Sequence, residues 1–537
     1  MPLAMWLKAI ILSAACVLSG RRLFHYFQLE SYQFRGYFRT IRRMRRLSFR
    51  PGLVLCVGQC AACLLELSLG TSWTSLVPGS LLLLSLAMEN HREAGLEKAK
   101  KPFSVTARIR RLYAVVFLVL ACLMVLLQLA VSCASSVLSA SLLTVLWVFL
   151  PSLLPCLLAI GAMAEHPLEA VIQKMYLRDA RRILHSRTDL IRIGVTGSYG
   201  KTSVKFILGT LLSERYQVLV SPASFNTPMG LTKVIRNQLL PAHQVFVAEM
   251  GARHVGDIAE LCRLVRPEMG VLVSVGPQHL DTFGTLDRIR ETKYELIRAI
   301  PENGHCFFFD DGDICRQLYD QTRKPKSLSS LSPGRGDIWA ESIHSGPQGS
   351  TFDLCTKDEK VTCSTRLLGR HNIQNLVLAA SVCLCLGMTL KQIARGIQRV
   401  QCVEHRLQLM NMPGGITMID DAFNSNPRGA SAALQVLREF GKRRIIVTPG
   451  MVELGDKEEE MNYRFGVEMA DCADVAILVG PRHTEPIRRG LLEKGFPQAQ
   501  IHTVASLQEA SDILRTLCRK GDTVLLENDL PDNYSET

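Results

Sequence analysis

The sequence predicts an α-helical transmembrane segment followed by α/β domains built on parallel sheets. Three observations carry that class. Apolar residues, 47% of the 537, crowd into the first third, in runs approaching the about 20 residues that a bilayer-spanning helix needs. From Leu190 onward, short β-rich runs alternate with amphipathic helical patterns, the texture of parallel sheets covered by helices. The first of those strands ends in a glycine-rich turn opening onto a helix, "IRIGVTGSYGKTSVKFILGTLL", residues 191 to 212.

The apolar runs are "AMWLKAIILSAACVLSG", "GLVLCVGQCAACLLELSLG", "WTSLVPGSLLLLSLAM", "YAVVFLVLACLMVLLQLAVSC" and "VLSASLLTVLWVFLPSLLPCLLAIGAM". The last two are long enough to span. The first three are shorter or carry Lys8, Glu66 or Pro78. Between the runs, links alternate between short uncharged ones and long basic ones. Arg21, Arg22, Arg35, Arg39, Arg42, Arg43, Arg45, Arg46 and Arg50 share one link with a single acid, Glu30. Arg92, Lys98, Lys100, Lys101, Arg108, Arg110 and Arg111 fall in another. Basic residues so placed set membrane topology, so the net charge of +13 argues for a membrane partner and against nucleic acid. The expectation is about five spans within residues 1–165, basic links and everything later on the cytoplasmic side. Arginines directly after the first run favour a retained anchor over a cleaved signal peptide. Of the 17 cysteines, Cys16, Cys56, Cys60, Cys63, Cys122, Cys133 and Cys156 lie in apolar runs, where cysteine acts as a small hydrophobe. The rest are scattered, and Cys60-x-x-Cys63 lacks a second pair, so neither a disulfide framework nor structural zinc is expected.

In the later part, "IRIGVTG", "HQVFVAEMG", "MGVLVSVG", "RRIIVTPG", "VAILVG" and "TVLLEN" read as buried strands. The length suits two α/β domains divided near residue 404, with ligands at the carboxyl ends of the strands. The turn after the first strand resembles a phosphate-binding loop, G-x-x-x-x-G-K-[ST], except that its first glycine is one place early, at Gly194 rather than at Val195. In the run Thr196, Gly197, Ser198, Tyr199, Gly200, Lys201, Thr202, Ser203, two glycines let backbone N–H groups crowd an anion at a helix N-terminus. Lys201 can reach terminal phosphates and the Thr202 hydroxyl can ligate Mg²⁺. Glu249 closes an apolar strand, as a metal carboxylate does, although acids often follow apolar residues by chance. His279 sits past the next strand end and Lys293 on the following helix. A histidine without partners fits a surface position as well as a ligand, and Asp421 in "IDDAFNSNP" fits an ordinary turn.

The order of TGSYGKT, "FNTPMGLTKVI", "EMGARHVGDI", "VGPQHLDTFG…ETKYELI", "LGRHNIQNLVLAA", "HRLQL" and "IDDAFNSNP" resembles the Mur ligase family over about residues 185 to 530. That family uses TGxxGKT, which accounts for the early glycine. Within it, the chain resembles the branch that joins D-alanyl-D-alanine to a muramoyl tripeptide. The resemblance implies a P-loop central ATPase domain with a parallel sheet, 166–404, and a Rossmann-like C-terminal domain, 405–537. It implies an ATP-dependent, ADP-forming carboxylate–amine ligase of peptidoglycan and cell-wall precursor synthesis, with ATP and Mg²⁺ as cofactors.

The resemblance further implies that Lys201 and the loop amides hold the β- and γ-phosphates, while Thr202 and Glu249 bind one Mg²⁺. His279 matches a histidine serving a second Mg²⁺, and Lys293 a lysine carbamylated in several members. Asn372 and Asn375 match adenine contacts; Arg406 and Asp421 match the pair by which the C-terminal domain grips the nucleotide. Asn424 and Asn426 are expected to shape that loop. The expected address is a bacterial cell membrane, multi-pass, with the ligase domains facing the cytoplasm. The expected partners are a small-molecule or lipid-linked cell-wall peptide precursor, an amino acid or dipeptide amine, and the membrane. Three departures stand out: the apolar segment replaces a UDP-binding domain, Gly450 stands where aspartate is frequent, and the ending "VLLENDLPDNY" is unusual. They leave open the same chemistry on a lipid-linked or other carboxylate. A non-catalytic nucleotide-binding regulator is disfavoured by retention of Lys201, Thr202, Glu249, His279 and Lys293 together.

Overall fold

Long apolar runs build helices in the first part of the chain, carrying Pro51 and Pro167 within them. The computed structural model describes residues 2–30, 32–69, 73–93, 103–134, 136–222, 225–278, 280–346, 348–402, 405–422, 427–452 and 454–528. Two compact units result, Met1–Lys174 and Met175–Leu530. The helices that begin in the first are α1 (Pro2–Ser19), α2 (Arg21–Leu29), α3 (Phe34–Arg43), α4 (Arg45–Leu69), α5 (Trp73–Glu93), α6 (Ala107–Ser132), α7 (Val137–Phe149) and α8 (Leu154–His185). They close on a core of Leu12, Phe24, Tyr37, Leu55, Leu112, Val116, Leu120 and Leu158, and the buried Tyr37 hydroxyl donates to the Pro155 carbonyl at 3.1 Å. Large apolar side chains also point outward, among them Val57, Leu118, Leu126, Leu138 and Leu142.

Among the described residues, three helical stretches are long and apolar enough to cross a membrane: Arg45–Leu65, Ala107–Ser132 and Val137–His185. About five spans were expected from the apolar runs within residues 1–165; these three stretches are counted among the described residues alone. α1 runs 18 residues, Pro2–Ser19, and α5 closes on the charged "ENHRE".

The second unit holds two sheets. The larger contains β1 (Ile191–Thr196), β2 (Val218–Val220), β3 (Val245–Glu249), β4 (Met269–Leu272), β5 (His305–Phe309), β6 (Lys326–Ser330), β7 (Ile338–Gly346), β8 (Gly349–Cys355) and β9 (Lys360–Thr365). Their order is β2-β3-β1-β4-β5-β6-β7-β8-β9, parallel as far as β7 and antiparallel beyond. Strand side chains alternate between two cores: Val245 and Val247 join one with Leu208 and Leu376, while Phe246 and Ala248 join the other with Leu261 and Leu296. The helices supplying those cores are α9 (Lys201–Leu212), α10 (Pro228–Gln238), α11 (Asp257–Val265), α12 (Leu280–Phe283), α13 (Leu286–Ala299), α14 (Ile314–Gln321), α15 (Arg370–Cys385) and α16 (Leu390–Arg399).

The smaller sheet contains β10 (Gln408–Met412), β11 (Ile416–Asp421), β12 (Arg444–Thr448), β13 (Val475–Val479), β14 (Ile501–Val504) and β15 (Thr523–Glu527). Its order is β10-β11-β15-β12-β13-β14, with β10 antiparallel and the others parallel. Helices α17 (Pro427–Arg438), α18 (Glu458–Ala470), α19 (Glu485–Glu493) and α20 (Leu507–Leu517) complete it. The carboxyl ends of β11, β15 and β12 bring Asp421, Glu527 and Thr448 to one edge, where the Thr448 hydroxyl donates to Glu527 at 2.7 Å.

Candidate active site

β1 is a central strand because Ile193 and Val195 are fully buried between β3 and β4. Gly194 has no part in the loop that follows. A Cβ there would meet Leu296 Cδ1 at 2.8 Å and Met250 Cε at 3.1 Å, so this glycine lets α13 pack on the sheet. The turn proper is residues 197–200. Gly200 has φ +77°, a left-handed conformation that favours glycine, and a Cβ would stand 2.9 Å from both Asn375 Oδ1 and Val273 Cγ1. At Gly197 a Cβ would lie 2.9 Å from the Ser274 backbone nitrogen.

The turn is tied to the segment after β4. Ser198 N donates to the Ser274 carbonyl at 2.8 Å, and Tyr199 N to Ser274 Oγ at 2.8 Å. Ser198 Oγ donates to the Gly276 carbonyl and accepts from the Gly276 N–H, at 2.9 and 3.0 Å. Thr196 Oγ1 donates to the Met250 carbonyl at 2.9 Å. Thr196 and Ser198 side chains are thus engaged in holding the loop, and Ser203 stands in the first turn of α9. Lys201 Nζ folds back to donate to the Gly197 and Ser198 carbonyls at 2.7 and 3.1 Å. Burial, and more weakly the charge of Arg406, push its pKa down to about 8, against the pull of Glu249.

Glu249, at the end of β3, is 1% exposed. Its Oε2 accepts from Thr202 Oγ1 at 3.0 Å and lies 3.0 Å from Lys205 Nζ, while Oε1 accepts from Asn226 Nδ2 at 3.0 Å. Burial alone would raise this carboxyl; Lys205, Lys201 and the Asn226 bond outweigh it and hold the group below its ordinary range. Lys293, on α13, is buried as well. Burial chiefly, with the charge of Lys201, holds it well below the usual lysine range, although Asp257, Glu295 and Glu249 pull it upward. A hydroxyl and a carboxylate sharing a contact are hard oxygen donors suited to Mg²⁺, which typically takes one or two protein ligands plus phosphate oxygens. Among the described residues no group of three or more His, Cys, Asp or Glu is placed to hold a metal, so Thr202 and Glu249 fit an ion shared with a bound nucleotide.

Two further elements converge here. On α15, Asn375 stands against Gly200, whereas Asn372 Nδ2 donates back to the Leu368 carbonyl at 2.8 Å. Asp421 ends β11, and Arg406 lies in the segment just before β10. Burial lowers Arg406, which lies within electrostatic reach of Asp421, Glu249 and Lys201. Burial raises Asp421 to about 6 despite Arg406, and its Oδ1 accepts from Leu407 N at 3.2 Å. The structure therefore brings Lys201, Thr202, Glu249, Lys293, Asn375, Arg406 and Asp421 into one neighbourhood. His279, Asn424 and Asn426 lie outside the described residues.

Sequence reasoning missed Lys205, Asn226 and Ser274. Lys205 lies one helical turn past Lys201, and that i, i+4 spacing on the face toward Glu249 was the available signal. Asn226, in "FNTPMG", and Ser274, beside the strand end "VLVSVG", gave none, because their partners are distant in sequence.

A loop of this build belongs to proteins that bind a nucleoside triphosphate and transfer its terminal phosphoryl group. Residues 195–383 match the description "Mur ligase middle domain", and residues 405–527 match "Mur ligase, glutamate ligase domain". The UDP-N-acetylmuramoyl-tripeptide–D-alanyl-D-alanine ligase of Escherichia coli (strain K12) is 30% identical over 371 residues, which are 67% of this chain and 81% of that protein. The ligase of the same name from Mycobacterium tuberculosis (strain ATCC 25618 / H37Rv) is 30% identical over 357 residues, 62% of this chain and 69% of that protein. A crystal structure of MurF ligase from Thermotoga maritima in complex with ADP is similar with a TM-score of 0.60 and 26% identity, covering 68% of this chain and 82% of that one. The chain belongs to the Mur ligase family. It is accordingly an ATP-dependent, ADP-forming ligase, and the family's cofactors are ATP and Mg²⁺.

The same relatives correct the expected address. A multi-pass bacterial cell-membrane protein with cytoplasm-facing ligase domains does not stand, because the matched relatives are soluble cytoplasmic enzymes. The three apolar helices meet a criterion of length and composition alone. Such composition also builds packed helical cores, as Leu112, Val116 and Leu120 of α6 do here.

Proposed function

We propose that this chain joins D-alanyl-D-alanine to a UDP-N-acetylmuramoyl tripeptide by way of an acyl phosphate. The observation that carries this reading is its 30% identity to the E. coli ligase of that name, with 81% of that protein spanned. The geometry supports the chemistry. A carboxylate resists amine attack because the group it must expel is a poor one. Phosphorylation supplies a good leaving group, and the amine then displaces phosphate to form the amide. Charge moves among phosphate oxygens throughout, so fixed cations and aligned N–H groups are what a catalyst must provide.

In this reading Lys201 and the amides of residues 197–200 hold the β- and γ-phosphates, and Thr202 with Glu249 would hold Mg²⁺. Lys293, which burial holds well below the usual lysine range, is open to the carbamylation its family match implies, and His279 would serve a second Mg²⁺. Asn375 and Asn372 would contact the adenine, as their family match implies. Arg406, just before β10, and Asp421, at the end of β11, would grip the nucleotide, and closure there would keep water from the acyl phosphate. We further propose a helical part to residue 165, a central ATP-binding domain over 166–404 and a C-terminal domain over 405–537. The two separate sheets and the two family matches support that division.

The test is phosphate release by the full chain with ATP, Mg²⁺ and UDP-N-acetylmuramoyl tripeptide, with and without D-alanyl-D-alanine. Release that requires the dipeptide supports the reading. Release indifferent to the dipeptide, or dependent only on another amine, contradicts it.

A further inference from the structure

Lys205 has no part in the roles assigned above, yet it makes the closest cationic contact of the candidate metal carboxylate. Its side chain is fully buried, 0% exposed, with Nζ 3.0 Å from Glu249 Oε2 and 4.4 Å from the Phe206 ring centroid. A lysine pays for such burial only with a strong partner. The oxygen it touches is the one that accepts from Thr202 Oγ1 at 3.0 Å, and the other oxygen is taken by Asn226. Ser221 Oγ accepts from the Glu249 backbone N–H at 3.3 Å, fixing the strand end. The pair expected to meet a divalent cation is thus already bound to an ammonium. A divalent ion at Oε2 would stand close to Lys205 in a site that also carries Lys201, and like charges at such range repel strongly where water is excluded.

We propose that Lys205 is a positioning residue that serves as the resident counter-ion of Glu249. Without nucleotide it holds the carboxylate against Thr202. A divalent cation must displace it, and does so readily only when nucleotide phosphates bring further negative charge. Metal and nucleotide binding are thereby coupled through one buried lysine. The inference rests on the ligase reading for the identity of cation and nucleotide.

The experiment measures Mn²⁺ retained by the full chain in equilibrium dialysis, with no nucleotide and then with ATP on both sides, so that ion chelated by free ATP cancels. Lys205→Gln keeps a hydrogen-bond donor without the charge, and Lys205→Arg keeps the charge. Without nucleotide, Lys205→Gln is expected to bind Mn²⁺ about tenfold tighter than the native chain, with Lys205→Arg close to native. With ATP the difference should shrink. A lysine that merely filled the core would give the opposite sign or no change, and either result overturns the proposal. Persistence of the gain in Lys205→Gln/Glu249→Gln also overturns it, since the ion would then sit elsewhere. If Lys205→Gln does not fold, the native chain decides: equal Mn²⁺ affinity with and without ATP removes the coupling. Failure of the native chain to bind Mn²⁺ even with ATP counts against the ligase reading instead.

Discussion

At the scale of single residues, one carboxylate and its cations govern the site. Glu249 is flanked by Lys205 and Thr202 and lies in the field of Lys201, Lys293 and Arg406. Removing the loop lysine or the carboxylate strips the phosphates or the metal of a partner. Lys201→Ala and Glu249→Ala are each expected to lower kcat by at least about a hundredfold in a phosphate-release assay; near-native turnover in either would refute the assignment. Lys293 offers a test through stability. Its folded-state pKa is depressed, so the unfolded chain binds more protons there, and stability rises with pH toward the ordinary lysine value. Lys293→Met removes a group whose burial is unfavourable at neutral pH. Its denaturant midpoint at pH 7 should exceed the native one, and the gap should narrow as pH rises, by at most about 1.4 kcal/mol per unit. A gap independent of pH would contradict this. Lys201, Thr202 and Glu249 were legible because each sits at a fixed place beside a strand end. Lys205 and Asn226 were not, because their contacts with Glu249 exist only once α9 and the segment before α10 are packed beside β3.

At the scale of elements, the connection from β1 to α9 sets the geometry of everything around it. Gly200 adopts φ +77° under Asn375 and Val273. Gly200→Ala should cost about 1–3 kcal/mol in strain and push the loop off Asn375, lowering both melting temperature and ATP affinity. Unchanged affinity by calorimetry would show that the loop tolerates a side chain there. The early glycine of the motif reads differently in three dimensions: Gly194 serves the packing of Leu296 on the sheet, and the phosphate loop begins after Thr196. Spacing alone could not separate those uses, since a glycine in sequence carries no mark of what approaches it. Six strands, β1, β3, β4, β12, β13 and β15, were legible, because buried parallel strands read as continuous apolar runs. The antiparallel β7, β8 and β9 were not anticipated. Strands such as "KVTCST" face solvent on one side and lack that signal.

At the scale of the molecule, the two units were legible to different depths. In the second, order of motifs and fold agree with the family from Val195 to Glu527. In the first, the apolar runs marked where the long helices lie, while α2 and α3 fall in the basic link and carried no such signal. Composition also could not supply an address, because an apolar helix reads alike in a packed core and in lipid. The central claim, carboxylate activation by phosphoryl transfer, can be tested directly on the full chain. The acceptor tripeptide, labelled with ¹⁸O in its reacting carboxylate, is incubated with ATP, Mg²⁺ and D-alanyl-D-alanine, and the released phosphate is analysed by mass spectrometry. Transfer of one ¹⁸O to inorganic phosphate, with ADP as the nucleotide product, is the predicted result. Unlabelled phosphate, or label recovered in AMP, would contradict it.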